Sequence, residues 1–147
     1  MTYRVAVVGL GIGREHIRHW RQLPDRFELA AVCDSDRERL ASAAEAHQLE
    51  PFQSFAALLH AEIDVIDICT PPYLHYEMAA AALRSGRHVV CEKPLVNSLA
   101  EADALIEVAE TSGCKLMPIS QYRFSAGIQR LQHLVAQGLA LSLIHIS

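Results

Sequence analysis

Three closely spaced glycines, Gly9, Gly11 and Gly13, follow a run of small and β-branched apolar residues, Val5-Ala6-Val7-Val8. A segment of helical character begins immediately after them. A buried strand feeding a glycine turn and then a helix is a geometry that holds a dinucleotide pyrophosphate. The glycines let the backbone come close to the phosphates, and the unpaired N–H groups of the helix N-terminus face them. Gly9, Gly11, Ile12 and Gly13 are the candidate phosphate contacts on this reading. The usual fingerprint places its third glycine three positions after the second, where this chain has Arg14; here Gly13 comes one place early. The spacing also suits the glycine-rich loop of a methyltransferase that binds S-adenosylmethionine, although Val7 stands where such loops usually carry an acid. The turn alone leaves both readings open.

Three further groups sit where apolar runs end. Asp34 follows Phe27-Glu-Leu-Ala-Ala-Val-Cys33, and a carboxylate there can accept hydrogen bonds from both ribose hydroxyls of an adenosine. It would repel a 2′-phosphate, which favours NAD over NADP, although Arg14, Arg37 or Arg39 could reach such a phosphate. Its bland alternative is a turn residue opening the next helix. Thr70-Pro71-Pro72, with His75, ends a second run; prolines stiffen a loop suited to a flat nicotinamide–ribose unit, and equally they simply start a helix, on whose first turn His75 reads as a hydrogen-bonded structural residue rather than a catalyst. Glu92-Lys93-Pro94 ends a third. A lysine fixed between an acid and a proline can orient a substrate hydroxyl or carbonyl, and becomes an acid/base group only where its surroundings lower its pKa. His16 and His19 share a helix face at a metal-binding spacing, but no third ligand accompanies them, so no metal is expected.

Positioning these groups requires strands and helices in alternation, and the chain supplies them. Helix is expected over residues 13–23 up to Pro24, strand over 27–33, and helix to Ala46 opened by a Ser35-x-x-Glu38 capping box. A short edge strand at Pro51-Phe52 and a small helix over 54–60 follow. Strand 65–69, helix 74–84 closed by Gly86, and strand 88–92 come next. A second capping box, Ser98-x-x-Glu101, opens a helix to Ser112; strand 115–119 and helix 125–137 complete the order. This alternation predicts an α/β doubly wound parallel sheet, a Rossmann fold, in a single domain over residues 1–140. In such sheets ligands bind beyond the carboxyl ends of the strands, which is the edge where all four groups fall.

With 147 residues and 51% apolar content the chain can build one real core. A net charge of −4 without basic runs gives no footprint for nucleic acid, and no apolar stretch reaches the ~18 residues of a membrane span. Four scattered cysteines without a CxxC pair fit buried thiols in a reducing, cytoplasmic compartment.

Taken together, the residues resemble the Gfo/Idh/MocA family of NAD(P)-dependent oxidoreductases. The resemblance rests on the Val5–Gly11 segment with His16, on Asp34, on Asp67-Ile-Cys-Thr-Pro-Pro-x-x-His75, on Gly86-Arg-His-Val89, on Cys91-Glu-Lys-Pro94 and on Gln121-Tyr-Arg-Phe124. It implies pyrophosphate on the Gly9–Gly13 loop, ribose on Asp34, and the nicotinamide side at Thr70, Pro71, Pro72 and His75. It also implies Glu92 on the nicotinamide ribose, Lys93 beside nicotinamide and substrate as the catalytic group, and Arg123 shaping the site near a second domain. The cofactor is then NAD, with NADP the alternative, and the substrate a sugar, cyclitol or similar polyol. Family members commonly form homo-oligomers through a second α/β domain that supplies most substrate contacts. Residues 141–147, His145 included, are read as a truncated or non-native tail without function, so the chain is expected to bind cofactor with little or no turnover. A non-catalytic cofactor-sensing module is the second reading, and the methyltransferase the third.

Overall fold

The structure, a computed structural model, describes residues 2–139. The tail discussed above, with His145, lies outside the described residues. Six strands form one parallel sheet: β1 (Tyr3–Val8), β2 (Phe27–Cys33), β3 (Glu50–Phe52), β4 (Val65–Ile68), β5 (His88–Cys91) and β6 (Leu116–Pro118). Their spatial order is β3-β2-β1-β4-β5-β6, so the winding direction reverses between β1 and β4. That reversal is the switch point at which doubly wound sheets open a crevice.

Helices cover both faces, as side-chain alternation along the strands demands. Ala6 and Val8 of β1, Ile66 and Ile68 of β4, and Val89 and Cys91 of β5 point to one face. There they pack with Leu58, Leu83 and Leu105 from α3 (Phe55–Leu58), α4 (His75–Arg84) and α5 (Leu99–Ser112). Val7 and Val32 point the other way, onto Ile17 of α1 (Gly13–Trp20) and Leu40 of α2 (Arg37–His47). Ile17 is completely buried, and Ile17→Ala would cost roughly 2–5 kcal/mol through lost burial and the cavity left behind. The last helix, α6 (Ala126–Ala136), buries none of its residues.

The strand expected over 27–33 is observed with those bounds, and Ser98 caps α5 by accepting from the Glu101 N–H. Two local expectations need correction. The cap of α2 is Asp36, not Ser35: Asp36 accepts from the Arg39 N–H, because the Asp36 N–H is itself taken by the Asp34 carboxylate and the helix starts one residue later. The helix expected to run to Leu23 ends at Trp20 and loosens into turns, with the Leu23 N–H donating to the Trp20 carbonyl just before Pro24.

Register is what positions the site. Val8 lies opposite Cys33 and Ile68, and Ile68 opposite Cys91, so three neighbouring pairs end level. Gly9, Asp34, Cys69 and Glu92, one residue further on, therefore form the next row along the carboxyl edge. Ladder bonds run into that row: the N–H groups of Gly9, Cys69 and Glu92 donate to the carbonyls of Cys33, Val8 and Ile68 at 2.8, 2.7 and 2.8 Å.

Candidate functional site

The glycine turn is tight for two different reasons. Gly9 sits at φ +88°, and a Cβ there would lie 2.8 Å from the Cys69 carbonyl and the Thr70 nitrogen, so β1 and β4 can meet only around a glycine. At Gly13 a Cβ would come within 2.9 Å of the Val7 side chain, so this glycine seats α1 on the sheet. Gly11 has nothing within 4 Å of its Cβ position. Its openness matches a backbone that faces a ligand, and no side chain caps the N-terminus of α1 behind it.

Asp34 is buried, and its carboxylate is held by backbone: Oδ2 accepts from the Leu10 N–H at 2.7 Å and Oδ1 from the Asp36 N–H at 2.8 Å. Arg39 Nη1 stands 3.6 Å from Oδ2. Each oxygen keeps a lone pair for a hydroxyl donor. A cavity of about 310 Å³ opens here, lined by Gly9, Asp34, Arg39, Thr70, Pro71 and Tyr73 among others. Gly9 of the glycine turn, the expected ribose carboxylate and the Thr70-Pro71 group thus line one space, while Ile12 lines a second cavity of about 370 Å³ together with His16, Asp67 and Glu92. Pro72 begins the short 3-10 turn leading into α4 and is exposed.

His75 behaves differently from the cofactor contact expected of it. It is completely buried, and its ring spans two carbonyl oxygens, Pro94 O from Nδ1 at 2.7 Å and Thr70 O from Nε2 at 2.8 Å. Its work is to tie the Thr70 loop to the Lys93-Pro94 turn, whose peptide bond is cis. Lys93 itself is exposed. Arg123 is exposed on the 3-10 turn after β6 and lines neither the Asp34 cavity nor the one between His16 and Glu92, so it stands apart from the other expected residues.

A polar cluster that residue-type reasoning did not assemble lies beside Glu92. Asp67, wholly buried in β4, accepts from Trp20 Nε1–H at 2.6 Å and from His16 Nδ1–H at 2.8 Å, both on Oδ2. His16 Nε2–H reaches Glu92 Oε1 at 3.2 Å, and Glu92 Oε2 accepts from the Lys93 N–H at 2.9 Å. Carboxylates only accept, so the cationic ring satisfies both contacts. The Asp67 hydrogen bond, reinforced by its charge and by Glu92, raises the His16 pKa above its usual value against the opposing effect of burial. His16, Asp67 and Cys69 come close enough together to suggest a metal. Their atoms are instead taken up by hydrogen bonds, and burial, with the Asp67 charge, pushes the Cys69 thiol far up, so it stays protonated and donates to Asp67 Oδ1. Burial likewise pushes Cys33 up to about 11 and Cys91 up to about 12, and all four cysteines are free.

The four groups expected at strand ends therefore lie along one edge, and Arg123, which the resemblance places near a second domain, does not join them. Residues 3–120 match the family model described as an oxidoreductase family with an NAD-binding Rossmann fold, Gfo/Idh/MocA. The chain belongs to that family. Its relatives include the D-apiose dehydrogenase of Paraburkholderia graminis, 33% identical over 92% of this chain and 37% of that protein. Another is the UDP-N-acetylglucosamine 3-dehydrogenase of Acidithiobacillus ferrooxidans, 35% identical over 93% of this chain and 45% of that protein. Among solved structures, the WlbA dehydrogenase of Bordetella pertussis in complex with NADH and UDP-GlcNAcA superposes with a TM-score of 0.89 at 31% identity, covering 94% of this chain and 43% of that one. The chain spans less than half the length of these relatives. The spacing Gly9, Gly11, Gly13 is thus a glycine turn carried by a member of an NAD-binding family.

Proposed function

We propose that this chain forms the NAD-binding part of an oxidoreductase acting on a sugar, cyclitol or similar hydroxylated substrate, with NADP the alternative cofactor. The observation that carries this reading is the row of level strand ends, tied into one rim. Asp34 is bonded to Leu10, Gly9 is pressed against Cys69 and Thr70, and Thr70 is bridged to Pro94 through His75. The residues fit the cofactor: Gly11 and the uncapped start of α1 receive the pyrophosphate, and Asp34 accepts from the adenosine ribose. Thr70, Pro71 and Pro72 flank the nicotinamide side, and Glu92 faces its ribose. Bound NAD would supply the carbon that takes up hydride. Lys93, exposed at the mouth and fixed by its neighbours, donates to the reacting hydroxyl and orients it. No helix among the described residues is long and apolar enough to cross a membrane. With a net charge of −4, the partner we infer is a small polyol rather than nucleic acid.

In the relatives, more than half of the protein lies outside the region matched here. We place most substrate contacts there, so these 147 residues bind NAD with little or no turnover. The chain incubated with NAD and a panel of polyols and sugars should show cofactor binding without absorbance growth at the NADH wavelength. Brisk oxidation by the chain alone would overturn that division of labour.

A further inference from the structure

The glycine loop and the Lys93 turn are joined by a route outside the cavity at Asp34. α1 begins at the loop, and one turn into it His16 reaches across two strand ends. Its anchor is firm: Asp67 lies mid-sheet, paired with Val7 on one side and Val90 on the other, and is wholly buried. Its reach is specific: one Glu92 oxygen takes the imidazole, while the other takes the Lys93 N–H. Both Glu92 oxygens are thereby engaged, and the carboxylate cannot rotate without breaking a bond on one side.

We propose that His16 is a positioning residue which links the α1 end of the glycine loop to the Glu92-Lys93 turn, holding Glu92 with the same ring that Asp67 anchors. The inference deepens the dinucleotide reading and rests on it for its binding arm. Removing the imidazole leaves Asp67 with one donor fewer and releases Glu92 to swing, so the nicotinamide-side contact loses its place while the adenosine side, held by backbone, keeps its own. The charged and titratable groups that face His16 are Asp67 and Cys69 at the end of β4 and Glu92 at the end of β5; Glu15 and His19 on α1 line one groove with His16, Asp67 and Glu92.

Trp20, the only tryptophan, donates to the same Asp67 oxygen as His16 and reports on that ring, since a cationic imidazole beside an indole alters its emission. The test has two arms on the 147-residue chain. In the first, Trp20 emission is followed against pH without cofactor. The expected result is an inflection with its midpoint above the ordinary histidine value, lost in His16→Gln, kept in His19→Gln, and moved to lower pH in Glu92→Gln. In the second, NADH affinity is measured for His16→Gln, Glu92→Gln and the double variant. Each single change should weaken binding about fivefold, and the double change should cost no more than one alone, because both act through one contact. An inflection that survives His16→Gln, a midpoint indifferent to Glu92→Gln, or losses that multiply in the double variant would each overturn the proposal. Should the wild-type chain bind no NADH, the dinucleotide reading falls, and the Trp20 titration still decides whether His16 and Glu92 are linked.

Discussion

The two halves of the carboxyl edge are built by different means. At the β1–β2 end the key carboxylate, Asp34, is held by backbone N–H groups from residues 10 and 36, and the loop is shaped by glycines that neighbouring backbone and packing impose. At the β4–β5 end the geometry depends on side chains: Asp67, His16, Trp20 and Glu92 interlock through ring nitrogens and carboxylates, and His75 separately bridges the Thr70 and Pro94 carbonyls. Backbone donors carry no titrating charge, whereas the second half contains a histidine with a raised pKa and should respond to pH. Recognition of the constant part of a cofactor suits the first construction, and alignment of reacting groups suits the second.

The sharpest way to break the comparison is at Gly9. Gly9→Ala places a Cβ 2.8 Å from three backbone atoms at φ +88°, where neither neighbour can yield, and should destabilise the fold by roughly 3–5 kcal/mol, seen as a large fall in unfolding temperature. An unchanged melting curve would mean that the loop is not shaped by the contact described. Next comes Asp67→Ala, which leaves the Trp20 and His16 N–H groups without their buried acceptor and should cost roughly 3 kcal/mol in chemical denaturation. A loss below about 1 kcal/mol would show that the side-chain half is not held as argued. Asp34→Ala should then weaken NAD binding by roughly 1.5–3 kcal/mol, about tenfold or more, and equal affinities for variant and wild type would remove Asp34 from the site.

The smallest effect concerns pH. Because the folded-state pKa of His16 is raised, its stabilising contribution is fully present below the unfolded histidine value and is lost as pH rises through the folded one. The wild-type chain should therefore melt higher than His16→Gln by about 3 °C near pH 6, with the gap closing at alkaline pH. A gap that widened with rising pH would reverse the assigned charge.

This division also explains what the sequence disclosed. The glycine turn, the strand over 27–33, Asp34 and the Ser98 cap are local signals, each read within a few residues of where it acts. The His16 cluster is not local: its partners stand 51 and 76 residues away, and only the level ending of β1, β4 and β5 brings them together. The sequence match includes His16 and Asp67, but nothing in their types or spacing says that they touch. The partners of His75 are equally non-local, since its ring reaches the Pro94 carbonyl 19 residues away as well as the Thr70 carbonyl. The shift of the α2 cap from Ser35 to Asp36 follows from Asp34 capturing a backbone N–H, a competition invisible to a pattern that weighs one cap at a time.

Whether this edge receives a dinucleotide over an open Gly11 is decided by calorimetric titration of NADH, and separately of S-adenosylmethionine, into the wild-type chain and Gly11→Ala. No atom lies within 4 Å of the added Cβ, so the variant should keep its stability within about 0.5 kcal/mol. Saturable NADH binding to the wild type is expected, weakened about tenfold or more in Gly11→Ala, with no heat from S-adenosylmethionine. A folded wild-type chain that fails to bind NADH, that takes up S-adenosylmethionine, or that binds NADH equally well with alanine at position 11 would contradict it.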